Sequence, residues 1–267
     1  MKISYLYKSK ESNMSIITFL GTGTSQGVPI IGCKCRVCTS SDPKDKRLRS
    51  SVLIEQDGKR ILIDAGPDFR QQLLRENIDN LDAILLTHEH KDHTGGLDDV
   101  RAINYLKGKA LPIYCEERVR ESLEREYAYA FCEEKYPGVP EFDIRTIGNS
   151  PFNAQGVKVQ PIRILHYKLP ILGFRIGDIS YITDASYIST EELEKTTNSK
   201  ILVLNTIRRE PHISHFSLEQ AITTARSASP GICYLTHLSH QIGTHKELET
   251  SLPQGIHASY DGLRIEL

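Results

Sequence analysis

The segment Thr87-His88-Glu89-His90-Lys91-Asp92-His93, followed by Gly95-Gly96, puts four competent metal ligands within six positions. It starts where the apolar run Ala83–Thr87 ends, a run typical of a buried strand. Alternate residues leaving a strand point to one side, so His88 and His90 can reach one cation together. Asp92 and His93 then turn with the loop toward a second cation. Two ions about 3.5–4 Å apart can activate one bridging hydroxide, which is hydrolytic chemistry. A merely polar surface loop would leave unexplained why these residues cap the most apolar strand of the chain.

Four residues cannot satisfy two ions, so further ligands are expected downstream. His166 follows the strand Val157–Ile164, Asp184 follows Tyr181–Thr183, and His237 follows Ile232–Thr236. Each alone would suit a satisfied core or rim position, but three successive strand ends are where a one-sided site is built. Asp184 suits a bridge, because a carboxylate can give one oxygen to each ion.

A second cluster, Cys33-Lys34-Cys35-Arg36-Val37-Cys38, reads C-x-C-x-x-C. A tetrahedral structural zinc needs a fourth ligand, and His240, three residues beyond His237, is the candidate. A redox thiol pair fits less well, because the βαβ context of such a motif is missing. Six cysteines, three of them in one loop, form no disulfide framework and point to a reducing, cytoplasmic setting.

Elements that would position these residues can be read along the chain. Ile16–Leu20 reads as a strand followed by a tight glycine-rich loop, Gly21–Gly27, passing near the metals. Ser51–Glu55 and Arg60–Asp64 read as a hairpin around Asp57-Gly58. Helices are expected over Phe69–Glu76, Leu97–Leu106, Glu116–Lys135 and Ser217–Ser227, and further strands at Gly173–Ile176, Ile179–Thr183 and Ile201–Asn205. Strand groups with intervening helices predict a layered α/β protein. No linker divides residues 15–267, so one domain is expected, behind a flexible leader over residues 1–14 in which Met14 is an alternative start. A short echo between Ala83–His88 (AILLTH) and Cys233–His237 (CYLTH) hints at two related halves sharing a site.

At this point the chain resembles the metallo-β-lactamase superfamily, whose signature H-x-H-x-D-H matches His88–His93. The resemblance implies a four-layer αββα sandwich, two β-sheets flanked by helices, with the metals at one edge. It implies one ion on His88, His90 and His166, the other on Asp92, His93 and His237, and Asp184 between them. Leu62-Ile63-Asp64-Ala65-Gly66 is similar to the family's strand-end aspartate motif, which gives Asp64 a supporting role beneath the ligand loop. The Gly21–Pro29 run, the cysteine loop and Leu235-Thr236-His237-Leu238-Ser239-His240-Gln241 together resemble one subgroup. That subgroup is the phosphoribosyl cyclic-phosphate phosphodiesterases of the carbon–phosphorus lyase pathway, relatives of transfer-RNA 3′-processing endonucleases. It implies a structural Zn²⁺ on Cys33, Cys35, Cys38 and His240, and two catalytic ions, Mn²⁺ or Zn²⁺. The stretch His215–Gln220 resembles the segment that carries a catalytic histidine there, which makes His215 the proton donor, with His212 the runner-up.

The expected function is hydrolysis of a small cyclic or nucleotide-like phosphodiester, with Asp92, Asp184 and His215 at the reaction centre. Arg208 and Arg209 are candidates for the substrate phosphate. A transfer-RNA 3′-processing endoribonuclease, or a thioester or lactone hydrolase on the same metals, are the alternatives. A polyanion-gripping arm should be basic, yet Glu116–Lys135 carries seven glutamates against three arginines and one lysine. With a chain net charge of −1, a nucleic-acid partner is not expected. That helix suits a lid or a homodimer contact, between which the sequence does not choose. No apolar run reaches the ~18 residues of a membrane span. His245 and His257 have no supporting pattern and are expected on the surface.

Overall fold

The computed structural model describes residues 15–267, and the leader expected over residues 1–14 lies outside the described residues. The first sheet contains β1 (Ile16–Gly21), β2 (Ser51–Gln56), β3 (Lys59–Ile63), β4 (Ala83–Leu85), β5 (Leu111–Cys115) and β6 (Phe142–Thr146). The second holds β7 (Phe152–Ala154), β8 (Val157–His166), β9 (Leu169–Ile176), β10 (Ile179–Ile182), β11 (Tyr187–Ile188), β12 (Ile201–Asn205), β13 (Ile232–Thr236) and β14 (Ile256–Ala258). The chain ends with β15 (Arg264–Glu266), which returns to the first sheet beside β1.

Strand alternation builds the layers. Ile17, Phe19, Val52, Ile54, Ile61 and Ile63 meet Leu172, Phe174, Ile176 and Val203 in one buried cluster between the sheets. The intervening residues face outward: Leu20, Leu53 and Leu62 on one side, Leu202 and Leu204 on the other. Successive strand side chains point to opposite faces, so strands apolar on both faces must be covered on both. Helices supply the outer cover. α1 (Phe69–Arg75), α3 (Arg101–Lys107) and α4 (Glu117–Glu126) pack on the first sheet, and α7 (Leu218–Ala228) and α8 (His245–Ser251) on the second. The short α2 (Lys91–Thr94), α5 (Ala128–Phe131) and α6 (Thr190–Glu194) lie in the connections. This is the expected αββα sandwich.

The two sheets are built alike. β1, β2 and β3 are antiparallel and β3 to β6 parallel; β8, β9 and β10 are antiparallel and β10, β12, β13 and β14 parallel. The AILLTH and CYLTH echo falls on β4 and β13, one in each sheet. Their positions are not equivalent, because β4 follows β3 directly whereas β12 separates β10 from β13.

Two helices differ from expectation. Glu116–Lys135 is broken at Tyr127, which has φ −111° and ψ 35°, and the second piece stops at Phe131. The cause is tertiary: the Tyr127 hydroxyl donates to the Thr94 carbonyl at 2.8 Å and its ring meets Phe142, so this residue turns inward where an exposed helix would face water. Leu97–Leu106 divides into a 3₁₀ turn over Leu97–Val100 and α3. The helix expected at Ser217–Ser227 is found as α7, with Ser217 and Gln220 forming a capping box. Another capping box, Thr244 with Glu247, opens α8, which sequence reading passed over. His245 is consequently not a surface residue. It is buried with its ring edge-on to Tyr260, and its backbone N–H donates to Asp45.

Candidate active site

Every ligand predicted for the two-ion site is carried by a strand end, by the turn after β4 or by α2. Ligand atoms of His88, His90 and His166 lie within 4.8 Å of one another, as do those of His88, His93 and Asp184, and those of Asp92, Asp184 and His237. Asp184 thus belongs to more than one grouping, the placement a shared carboxylate needs. Its Oδ1 lies 3.2 Å from His237 Nε2 and its Oδ2 3.2 Å from His93 Nε2, which is also 3.2 Å from Asp92.

The outer nitrogens of four of these rings, those of His88, His93, His166 and His237, are fixed by partners that leave no choice of tautomer. His166 Nδ1–H donates to the Ser214 carbonyl at 2.8 Å. His93 Nδ1–H donates to Asp64 at 2.6 Å. The Thr87 hydroxyl donates to the Asp64 carboxylate, so its oxygen accepts from His88 Nδ1–H at 2.9 Å. Ser50 donates to the Gly23 carbonyl and accepts from His237 Nδ1–H at 3.2 Å. With each Nδ1 protonated, each Nε2 presents a lone pair to the centre. His88 Nε2 and His93 Nε2 are buried without a hydrogen-bond partner among the described residues. Leaving such an atom unsatisfied costs about 1–3 kcal/mol, which a cation would remove. The donor set and these orphaned nitrogens fit divalent metal ions.

Asp64 is the hub beneath the ligand loop. It holds His93 directly, reaches His88 through Thr87, and accepts the Thr87 N–H at 2.9 Å. The Ala65 N–H donates to the His93 carbonyl, and the Gly96 N–H to the Ala65 carbonyl. Gly66 is required here because a Cβ would stand 2.0 Å from the Asp92 carbonyl oxygen. Burial raises the Asp64 carboxyl above its usual range, against the pull of His93. Asp64→Asn keeps the left-handed backbone that asparagine tolerates, but removes the charge behind two ligands. Metal affinity of this variant should fall about 10–100-fold by titration calorimetry.

Asp64 (φ +65°), Asp184 (φ +59°) and His237 (φ +56°) all adopt the left-handed conformation at strand ends. Each costs of order 1–3 kcal/mol, a strain characteristic of functional positions. Asp184 is further held by Thr183, whose hydroxyl donates to its Oδ2 at 2.6 Å. The buried amide of Asn205 brackets Ala185, accepting its N–H and donating to its carbonyl. Neither Thr87 nor Asn205 was singled out from sequence; the Thr-His and Leu-Asn strand ends were the only signal.

His215 joins the cluster while its runner-up does not. Its ring stacks on His237 with centroids 4.8 Å apart and sits 4.7 Å from His166, and its Nδ1 lies 3.6 Å from Asp184 Oδ1. The Phe216 N–H donates to the Ala185 carbonyl, fastening this loop beside Asp184. Burial pushes the His215 imidazole down to about 3, against the opposing Asp184 charge. His212 sits one ring further out, 5.2 Å from His215, and its Nδ1 accepts from the Ser214 N–H. Arg208 donates to the Pro211 and Glu210 carbonyls of its own loop, and Arg209 to Ser251 at the end of α8. Neither arginine is gathered with the histidines.

The cysteine loop meets His240. The Sγ atoms of Cys33, Cys35 and Cys38 lie 3.4, 3.4 and 3.5 Å from His240 Nδ1. The Cys38 N–H, donating to Cys35 Sγ, leads in holding that thiol down to about 6, whereas burial raises Cys38 to about 11.

Fold and site together define a β-lactamase-superfamily protein, and the β-lactamase superfamily domain matches residues 59–238; the chain belongs to this family. It has the metallo-β-lactamase fold and carries a donor set suited to divalent metals. Among solved structures it is similar to a diphosphatase of the PhnP family, with 38% identity, a TM-score of 0.89, and coverage of 95% of this chain and 97% of that one. It is also similar to the short form of human tRNase Z, at 20% identity, TM-score 0.68, over 94% and 98% of the two chains, a likeness of fold alone. An octanoyltransferase of Porphyromonas gingivalis is 47% identical over 91% of this chain. The chain spans about half the length of that relative. Among the described residues no helix is long and apolar enough to cross a membrane.

Proposed function

We propose that the chain is a two-metal phosphodiesterase acting on small cyclic or nucleotide-like diesters. The observation that carries this reading is His215, buried against Asp184 and stacked on His237, its Nδ1 without a hydrogen-bond partner among the described residues. His88, His90 and His166 would hold one ion, Asp92, His93 and His237 the other, and Asp184 would serve both. When bound, such ions supply a nucleophile at neutral pH and neutralise charge developing on phosphoryl oxygens. The chain's own residues do the rest. Asp64, Thr87, Ser50 and the Ser214 carbonyl fix the ring orientations, and His215 donates a proton or hydrogen bond to the departing alkoxide. Similarity to a PhnP-family diphosphatase over nearly the whole chain supports phosphorus as the reacting centre.

A third ion, zinc, would be held by Cys33, Cys35, Cys38 and His240. Tetrahedral bonds of about 2.3 Å to sulfur and about 2.0 Å to nitrogen place S and N roughly 3.5 Å apart, close to the observed spacings. Thioester hydrolysis is the second reading, favoured by the octanoyltransferase relative. An RNA-gripping role gains no support, because glutamates 116, 117 and 124 of the acidic segment pair with Arg163 and Arg120.

Metal-reconstituted protein should hydrolyse bis(p-nitrophenyl) phosphate with added manganese or zinc, and His215→Ala should lower kcat by about 10²–10³-fold. Inert diester beside rapid cleavage of an octanoyl thioester, at full metal occupancy, would replace the first reading with the second.

A further inference from the structure

The hairpin between β8 and β9 turns through two residues, Tyr167 and Lys168, directly beyond His166. Tyr167 has φ +55°. Such positions in two-residue turns favour glycine, asparagine or aspartate, because a bulky side chain is strained there. Burial does not compensate for this strain, because Tyr167 is 49% exposed. The turn is nevertheless firmly held. The Tyr167 N–H donates to Ser186 Oγ at 2.9 Å, Ser186 donates to the Leu165 carbonyl, and His166 donates to Ser214. That last bond joins the hairpin to the loop bearing Ile213, which is 71% exposed, and His215. The Lys168 ammonium lies over one face of the tyrosine ring, 5.3 Å from its centroid.

A strained, exposed aromatic one residue from a metal ligand, with an exposed isoleucine on the adjoining loop, is an apolar rim beside an anion-handling centre. We infer that Tyr167 is a specificity-determining residue that stacks on the base of a nucleoside phosphate ester, with Ile213 extending the rim. The inference deepens the phosphodiesterase reading and rests on it for the reacting group. Base-on-aromatic stacking changes affinity by about tenfold or more on truncation to alanine.

The test uses the manganese-loaded full chain. Thymidine 5′-monophosphate and methyl phosphate are titrated by calorimetry, and thymidine 5′-(p-nitrophenyl) phosphate and methyl p-nitrophenyl phosphate are compared in turnover. Wild type should prefer the thymidine compounds by about tenfold, and Tyr167→Phe should keep that preference. Tyr167→Ala and Tyr167→Gly should lose it through KM, with kcat and the methyl compounds unchanged; glycine relieves the backbone strain and so controls for misfolding. Equal wild-type binding of both phosphates, or equal losses on both in the glycine variant, would overturn the inference. A base preference that Tyr167→Gly removes, in a protein turning over neither diester, would sink the phosphodiesterase reading and leave the stacking role standing. Turnover of both diesters without preference would do the reverse.

Discussion

Asp184→Ala should reduce diester hydrolysis to the background of metal-free protein, a loss of at least about 10³-fold. The two oxygens of Asp184 face His93 and His237, and it shares a ligand grouping with His88. Removing it therefore takes a ligand from both expected ions at once and uncouples their spacing. Transition-state charge stabilisation by such ions is worth several kcal/mol, and each 1.4 kcal/mol is tenfold in rate. Nearby carboxylates cannot substitute: Asp64 is committed to His93 and Thr87, and Asp92 already serves the grouping with His237 and lies against His93. Metal content by mass spectrometry and kcat on bis(p-nitrophenyl) phosphate check the prediction together. Full activity with two ions retained would place the bridging role elsewhere. Asp184→Asn, which keeps the shape and tolerates the left-handed backbone, separates loss of charge from loss of fold.

The second large effect is expected on stability. Cys35→Ser should remove one zinc per chain and lower the melting temperature by about 10 °C. A ligand held at 1,000 times its dissociation constant contributes about 4 kcal/mol, and each kcal/mol shifts Tm by about 2–4 °C in a domain of 150–250 residues. The apolar packing beneath this loop is slight: Val28, Val37 and Cys38 form a small cluster apart from the three main cores. The effect should reach the active site too, because His240 follows His237 by three residues and the intervening Leu238 N–H is pinned to Thr22. A several-fold loss of turnover should accompany the lower Tm. Differential scanning fluorimetry with and without added zinc reads the first effect; an unchanged Tm with zinc absent would show the four ligands to be structurally idle.

Much of the site was legible because its signals are local. H-x-H-x-D-H, C-x-C-x-x-C and a polar residue after each apolar strand depend only on neighbours in the chain. The strand period of two likewise carried the layered fold, since residues apolar on both faces demand cover on both. Short strands such as β7, β11 and β15 left no comparable signal, having two or three residues each and little apolar pattern.

The sequence by itself determined which side chains could bind metal and that they sit at strand ends. Tertiary structure decided how they are aimed. It joined Asp64 to His93, Ser50 to His237 and Asn205 to Ala185, partners 29, 187 and 20 residues apart. It put Asp64, Asp184 and His237 into a backbone conformation that local preference disfavours, and broke the acidic helix at Tyr127 to satisfy the Thr94 carbonyl. The physical reason is common to all of these. A hydrogen bond between distant residues, and strain that surrounding packing sustains, exist only once the two sheets have closed on each other.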